Sequence, residues 1–175
     1  MINVQIVAAI LTTGRYLAVD RGDFMTLDFS AFMGQSSSPV RNEVEKGAIR
    51  RFAEALGDPN PLYRDEVYAR SMGYASVPAP PTFSRTFDYG TIAGFTLPEE
   101  GLIHGDQSFT YYAPIVAGDV LYCSSQLLQV KERKGSLGKM VFLVLEQSVR
   151  DGQGQLRLQE QMTVIYTEPT TTTVS

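Results

Sequence analysis

The residues best placed to do chemistry lie in one short turn, Gly57-Asp58-Pro59-Asn60-Pro61-Leu62-Tyr63. Two prolines and an asparagine after a helical run make a rigid turn, which fixes Asp58 and residue 63 relative to each other. A carboxylate and an imidazole held in this way would activate one water. Residue 63, however, is a tyrosine. The ordinary pKa of a phenol is about 10 against about 6.5 for an imidazole, so near neutral pH Tyr63 keeps its proton and makes a poor general base. The turn has the layout of an acid/base loop with one working part exchanged. Asn60, between the two prolines, reads first as an Asx-turn residue. Asp58, directly after a glycine, reads as a turn former or as a site residue.

His104 is the only histidine of the chain, so it is the one imidazole available as a substitute. Without a loop partner beside it, His104 reads first as a strand anchor and second as an acid or base. A single histidine and a single cysteine, Cys123, leave neither an intrachain disulfide nor a Cys/His zinc site. No G-x-G-x-x-G follows a strand pattern, so no metal, flavin or nicotinamide cofactor is expected.

The elements that must hold this turn can be read on either side of it. Ile49, Phe52, Ala53 and Leu56 recur at i, i+3, i+4 and i+7, with Lys46, Arg50, Arg51 and Glu54 on the other face. That spacing predicts an amphipathic helix closed by Gly57. Asp65 can cap a short second helix that runs through Met72 and stops at Gly73. The segment Val77-Pro78-Ala79-Pro80-Pro81 cannot be helical, because each proline lacks an N–H and restricts the residue before it. A third helix is expected from Thr82 towards Gly94, with Phe83, Phe87 and Gly90 on one face.

From Leu102 onward the pattern is that of strands. Turn clusters at Ala117-Gly118-Asp119, Lys134-Gly135-Ser136 and Asp151-Gly152-Gln153-Gly154 separate segments at roughly 102–114, 120–133, 138–150 and 156–168. In the last of these Leu156, Leu158, Met162, Val164 and Tyr166 alternate with polar residues, as in a half-buried strand. The run Met140 to Leu145 is apolar on both faces and reads as a central strand. Helices followed by an antiparallel meander predict an α+β fold. A second protomer is expected to cover the sheet's remaining face or edge.

With 175 residues and 43% hydrophobic content the chain suits one domain with a real core. We divide it into an N-terminal extension at 1–24, a single domain at 25–168 and a flexible tail at 169–175. A net charge of −4 argues against a nucleic-acid partner. No run of about 18 apolar residues is present, so the expected setting is cytoplasmic and away from the membrane.

Three pieces taken together resemble the MaoC-like hydratase/dehydratase family, in its N-terminal hot-dog type found in (3R)-hydroxyacyl thioester dehydratases. They are F-A-E-A-L-G-D-P-N-P-L-Y at 52–63, V-P-A-P-P-T-F at 77–83 and H-G-D-Q-S-F-T-Y-Y-A-P-I-V-A-G-D at 104–119. The resemblance implies a hot-dog fold, an antiparallel sheet wrapped around a long central helix, with two such units paired. It implies an acyl-CoA or acyl-ACP thioester as partner molecule. In active members the Asp and His of a D-x-N-P-x-H loop activate the water that adds to, or leaves from, the acyl chain. Backbone N–H groups at the start of the central helix polarise the thioester carbonyl.

Carried across, Asp58 and Asn60 match the loop while Tyr63 stands in the His position. His104 matches the histidine that opens a strand in the half of a double hot dog without the catalytic loop. Pro81, Thr82, Phe83 and Phe87 fall where substrate contacts are implied. By pattern alone Phe83, Phe87, Tyr111 and Tyr112 read as core or dimer-interface residues. The leading expectation is therefore a component of an acyl-thioester hydratase or dehydratase that shapes the acyl pocket, as a homodimer or beside a subunit carrying an intact Asp/His loop. The alternatives are a non-catalytic acyl-thioester binding module, and a stand-alone hydratase or thioesterase using Asp58 with His104 or Tyr63.

Overall fold

Amphipathic spacing produces the expected first helix, α1 at Lys46–Ala55, which buries Ile49 and Ala53. The computed structural model describes residues 2–6, 28–135 and 138–167. Helix α1 ends in a Schellman turn: Asp58 N–H donates to the Ala53 carbonyl at 2.9 Å and Gly57 N–H to Glu54 at 3.0 Å. Gly57 has φ +68°, a conformation that a β-carbon would strain. Asp65 caps α2 at Glu66–Ser71 by accepting from Val67 N at 2.9 Å and Tyr68 N at 3.1 Å. Gly73 follows at φ +90°, so both helices stop where their glycines stand.

The strands are β1 (Ile2–Ile6), β2 (Val40–Glu43), β3 (Leu102–Tyr111), β4 (Val120–Gly135), β5 (Gly138–Asp151) and β6 (Leu156–Thr167). They form one sheet in the order β1-β3-β6-β5-β4-β2, and every pairing is antiparallel. The apolar run at 140–145 lies in β5, which sits inside the sheet between β6 and β4, as a strand greasy on both faces should. Strand β1 comes from the segment expected to be an extension and supplies an outer strand beside β3. Residues 7–27 and the expected tail at 169–175 lie outside the described residues.

The expected third helix is not formed. Residues 82–94 instead make one 3-10 turn, Phe83–Thr86, followed by extended backbone at Phe87. Competing partners capture the groups that a helix would need. The Asp88 N–H donates to Asn42 Oδ1 at 2.9 Å while Asn42 Nδ2 donates to the Asp88 carbonyl at 2.9 Å. Tyr89 sends its hydroxyl to the sheet, and Gly90 sits at φ +66°. The long central helix is likewise corrected: the longest helix among the described residues is α1, with ten residues and about 15 Å.

Two apolar clusters fill the space between the sheet and its covering segments. One gathers Ile49, Val77, Phe83, Phe109, Leu121 and Leu158, and the other gathers Phe29, Ile92, Leu127, Leu143, Val164 and Tyr166. Between them runs a polar row across the buried face of four strands. It comprises Gln107 of β3, Glu160 of β6, Gln147 of β5 and Ser125 of β4, all buried. Glu160 pairs in register with Gln147, and Gln147 with Ser125, which makes the row continuous across β6, β5 and β4.

Candidate functional site

The loop that carries Asp58 is built from two successive Asx turns. Asp58 Oδ1 accepts from Asn60 N at 2.9 Å, and Asn60 Oδ1 accepts from Leu62 N at 3.0 Å, capping the 3-10 turn Pro61–Tyr63. Arg64 Nη2 donates to the Asp58 carbonyl at 3.0 Å and closes the loop. One carboxylate oxygen of Asp58 and the Asn60 side chain are thus engaged in shaping the turn. Their combined effect is to present Leu62 and Tyr63 inward.

Those two side chains open onto a cavity of about 260 Å³. Its other walls are Tyr74, then Pro78, Ala79 and Pro81, then Tyr111 through Ile115 at the end of β3. Each of the three sequence pieces quoted above therefore contributes a wall of the same cavity. Four tyrosines line it and no charged side chain does. Burial first, then the neighbouring Asp58 and Tyr74, pushes the Tyr63 phenol above its ordinary pKa. The replacement at position 63 is consequently even less able to accept a proton than a free tyrosine.

Tyr111 is held as a wall rather than left mobile, since its hydroxyl donates to the Pro81 carbonyl. Burial, and behind it the charge of Glu160, also raises its pKa, whereas the neighbouring Ser84 hydroxyl works the other way. Tyr112, more exposed, is tied by its hydroxyl to Gln159 Oε1 at 3.1 Å. Glu160 itself is fully buried; it accepts from the Tyr89 hydroxyl at 2.7 Å and from Gln107 Nε2 at 2.9 Å. Arg85 Nη1 stands 3.8 Å from Glu160 and donates to Gln147 at 3.0 Å.

Of the expected catalytic residues in the loop Tyr63 lines the cavity while Asp58 and Asn60 do not, and of the expected substrate contacts Pro81 lines it whereas Thr82, Phe83 and Phe87 do not. Phe83 is buried, edge-on to Phe52 at 5.4 Å and to Phe87 at 5.7 Å, which is a core arrangement. His104 pairs with Val164 beside a bulge in β3 and is not a cavity residue. It lies seven positions from Tyr111, roughly 23 Å along a strand that rises about 3.3 Å per residue. The helix N-terminus expected to polarise a carbonyl is reduced to the single turn at Phe83–Thr86. Among the described residues no group of three or more His, Cys, Asp or Glu is arranged to hold a metal ion.

Residues 31–157 match the family model described as the FAS1-like dehydratase domain region. The chain belongs to that family. A UPF0336 protein of Streptomyces avermitilis is 43% identical over 120 residues, which cover 64% of this chain and 79% of the relative. Solved structures agree on the fold. The HadBC (3R-hydroxyacyl-ACP dehydratase) complex of Mycobacterium tuberculosis superposes with a TM-score of 0.63 at 24% identity, over 77% of this chain and 96% of that one. The MaoC-like dehydratase of Rhodospirillum rubrum gives 0.61 at 22% identity, over 78% and 94%. The resemblance to MaoC-like hot-dog proteins drawn from the three motifs is thereby borne out, and with it the α+β hot-dog class.

Sequence reasoning did not find Tyr74 as a cavity wall, nor the buried Glu160. Tyr74 stands after Gly73 in a stretch without periodicity, and no pattern marks it. Glu160 carries a signal: it occupies the inward parity of β6 between Leu158 and Met162, where an apolar side chain belongs.

Proposed function

We propose that this chain is a component of an acyl-thioester hydratase or (3R)-hydroxyacyl dehydratase. It shapes the acyl pocket, and a second hot-dog subunit with an intact Asp/His loop supplies the base. The observation that carries the reading is the convergence of the three family segments on one cavity whose loop position for histidine holds a half-buried phenol with a raised pKa. Water addition next to a thioester needs a group that takes a proton near working pH. Neither Tyr63 nor the distant His104 meets that need within the cavity. A paired subunit restores it, and the HadBC dehydratase is itself a complex of this fold. We place this activity in the cytoplasm, on coenzyme A or acyl carrier protein thioesters.

A second reading, an acyl-thioester binding module without chemistry, is favoured by the absence of any charged side chain from the cavity wall. Hydration of crotonyl-CoA by the purified chain separates these from a stand-alone enzyme. The expected result is no turnover above the uncatalysed rate. Hydration by the chain alone at the rate of an ordinary hydratase would overturn the proposal.

A further inference from the structure

We infer that the cavity takes a short acyl group whose chain ends inside it, and that Tyr111 backed by the Glu160 network is the stop that excludes long chains. The inference rests on the acyl-thioester reading above and adds the substrate's size.

The first ground is volume. At about 260 Å³ the cavity is smaller than the roughly 300–1,000 Å³ usual for ligand pockets. The second is rigidity. Pro78 and Ile115 are buried parts of the wall, and the Tyr111 ring is pinned through its hydroxyl to Pro81. Leu62 at the loop is the one flexible aliphatic side chain of the lining besides Ile115; prolines and a tethered ring do not fold aside as such a side chain would. The third is what lies behind. Tyr111 packs against the buried cluster of Ile49, Phe83 and Phe109, and the charge of Glu160 reaches its hydroxyl, so a chain that pushed Tyr111 aside would press on that cluster and on the row of Gln107, Glu160 and Gln147.

Methylenes laid against that row would displace Tyr89 and Gln107 from a fully buried carboxylate. A buried polar group stripped of its partners is costly, and the apolar chain returns nothing to it. Arg85, 39% exposed, ties the same row to the 3-10 turn next to Pro81, so wall and network cannot part independently. The stop is therefore a side chain fixed from in front by Pro81 and blocked from behind by paired polar groups.

The test is a binding series on the full chain by titration calorimetry, using free coenzyme A, crotonyl-CoA, octenoyl-CoA and dodecenoyl-CoA. Crotonyl-CoA should bind more tightly than free coenzyme A. The two longer thioesters should lose roughly tenfold or more, the scale on which a pocket rejects surplus methylenes. Tyr111→Ala should shift the preference towards the longer chains, and the wild-type series decides the matter even if that variant fails to fold. Affinity that is level or rises with chain length would overturn the short-chain inference alone. Equal binding of all three thioesters and free coenzyme A would overturn the acyl-thioester reading and this inference with it.

Discussion

Exchanging imidazole for phenol at position 63 decides which protons can move beside the cavity. Tyr63 is held protonated by burial and by Asp58, so the loop keeps its shape and loses its base. The turn bonds use Oδ1 of Asp58 and leave its second oxygen to orient a ring nitrogen at position 63. Tyr63→His should therefore raise enoyl-CoA hydration measurably, up to the roughly 10²–10⁴-fold that a positioned general base supplies. Asp58→Asn in the same chain keeps the Asn60 N–H bond, removes the charge, and should abolish the gain. No gain from a well-folded Tyr63→His would show that more than one residue separates this loop from a working one. Cys123 offers a second test at this scale. It is fully buried, and burial with the charge of Glu160 pushes its thiol up to about 12. A thiol-specific reagent at pH 8 should leave the native protein unlabelled and label it on unfolding; rapid native labelling would contradict this placement. The loop's chemistry was legible from residue types alone, because carboxylate, phenol and proline are named in the sequence. Tyr111 was read only as a core or interface residue and Glu160 was not assigned, since their roles depend on strands far apart in the chain.

Elements were legible where one period dominated. Helix α1, helix α2 and the four long strands fall close to their expected bounds, because their apolar spacing and their glycine stops point the same way. The segment 82–94 departs from expectation for a tertiary reason. Asn42 of β2 and Glu160 of β6 take the Asp88 backbone and the Tyr89 hydroxyl, and neither claim is visible in the local pattern. Strand β2, four residues with charged Arg41 and Glu43, carries no apolar alternation to announce it. Two glycines test the stops. A methyl group at Gly57 meets nothing, so Gly57→Ala should cost only the left-handed backbone strain, roughly 1–2 kcal/mol. At Gly90, also at positive φ, a β-carbon would lie 2.9 Å from the Ser38 carbonyl oxygen, so Gly90→Ala should cost more. Urea midpoints at unchanged slope measure both, and equal losses would refute the assigned close approach.

At the scale of the whole molecule several large apolar side chains stay at the surface. Ile103, Tyr122 and Leu128 on strands β3 and β4 remain exposed, as do Leu56 at the end of α1 and Val67 and Met72 at α2. No helix among the described residues is long and apolar enough to cross a membrane. Composition alone did not announce which apolar residues would stay at the surface. The account stands on division of labour between two hot-dog subunits, so its most direct test is catalysis by the pair. The chain should be co-purified with a hot-dog protein that bears a D-x-N-P-x-H loop, and crotonyl-CoA hydration compared for each protein and the complex. The account predicts that the complex turns over and this chain alone does not. It also predicts that activity vanishes when the partner's loop histidine is replaced by asparagine and survives Tyr63→Phe here. Full activity of the complex after loss of the partner's histidine, or of this chain by itself, would contradict it.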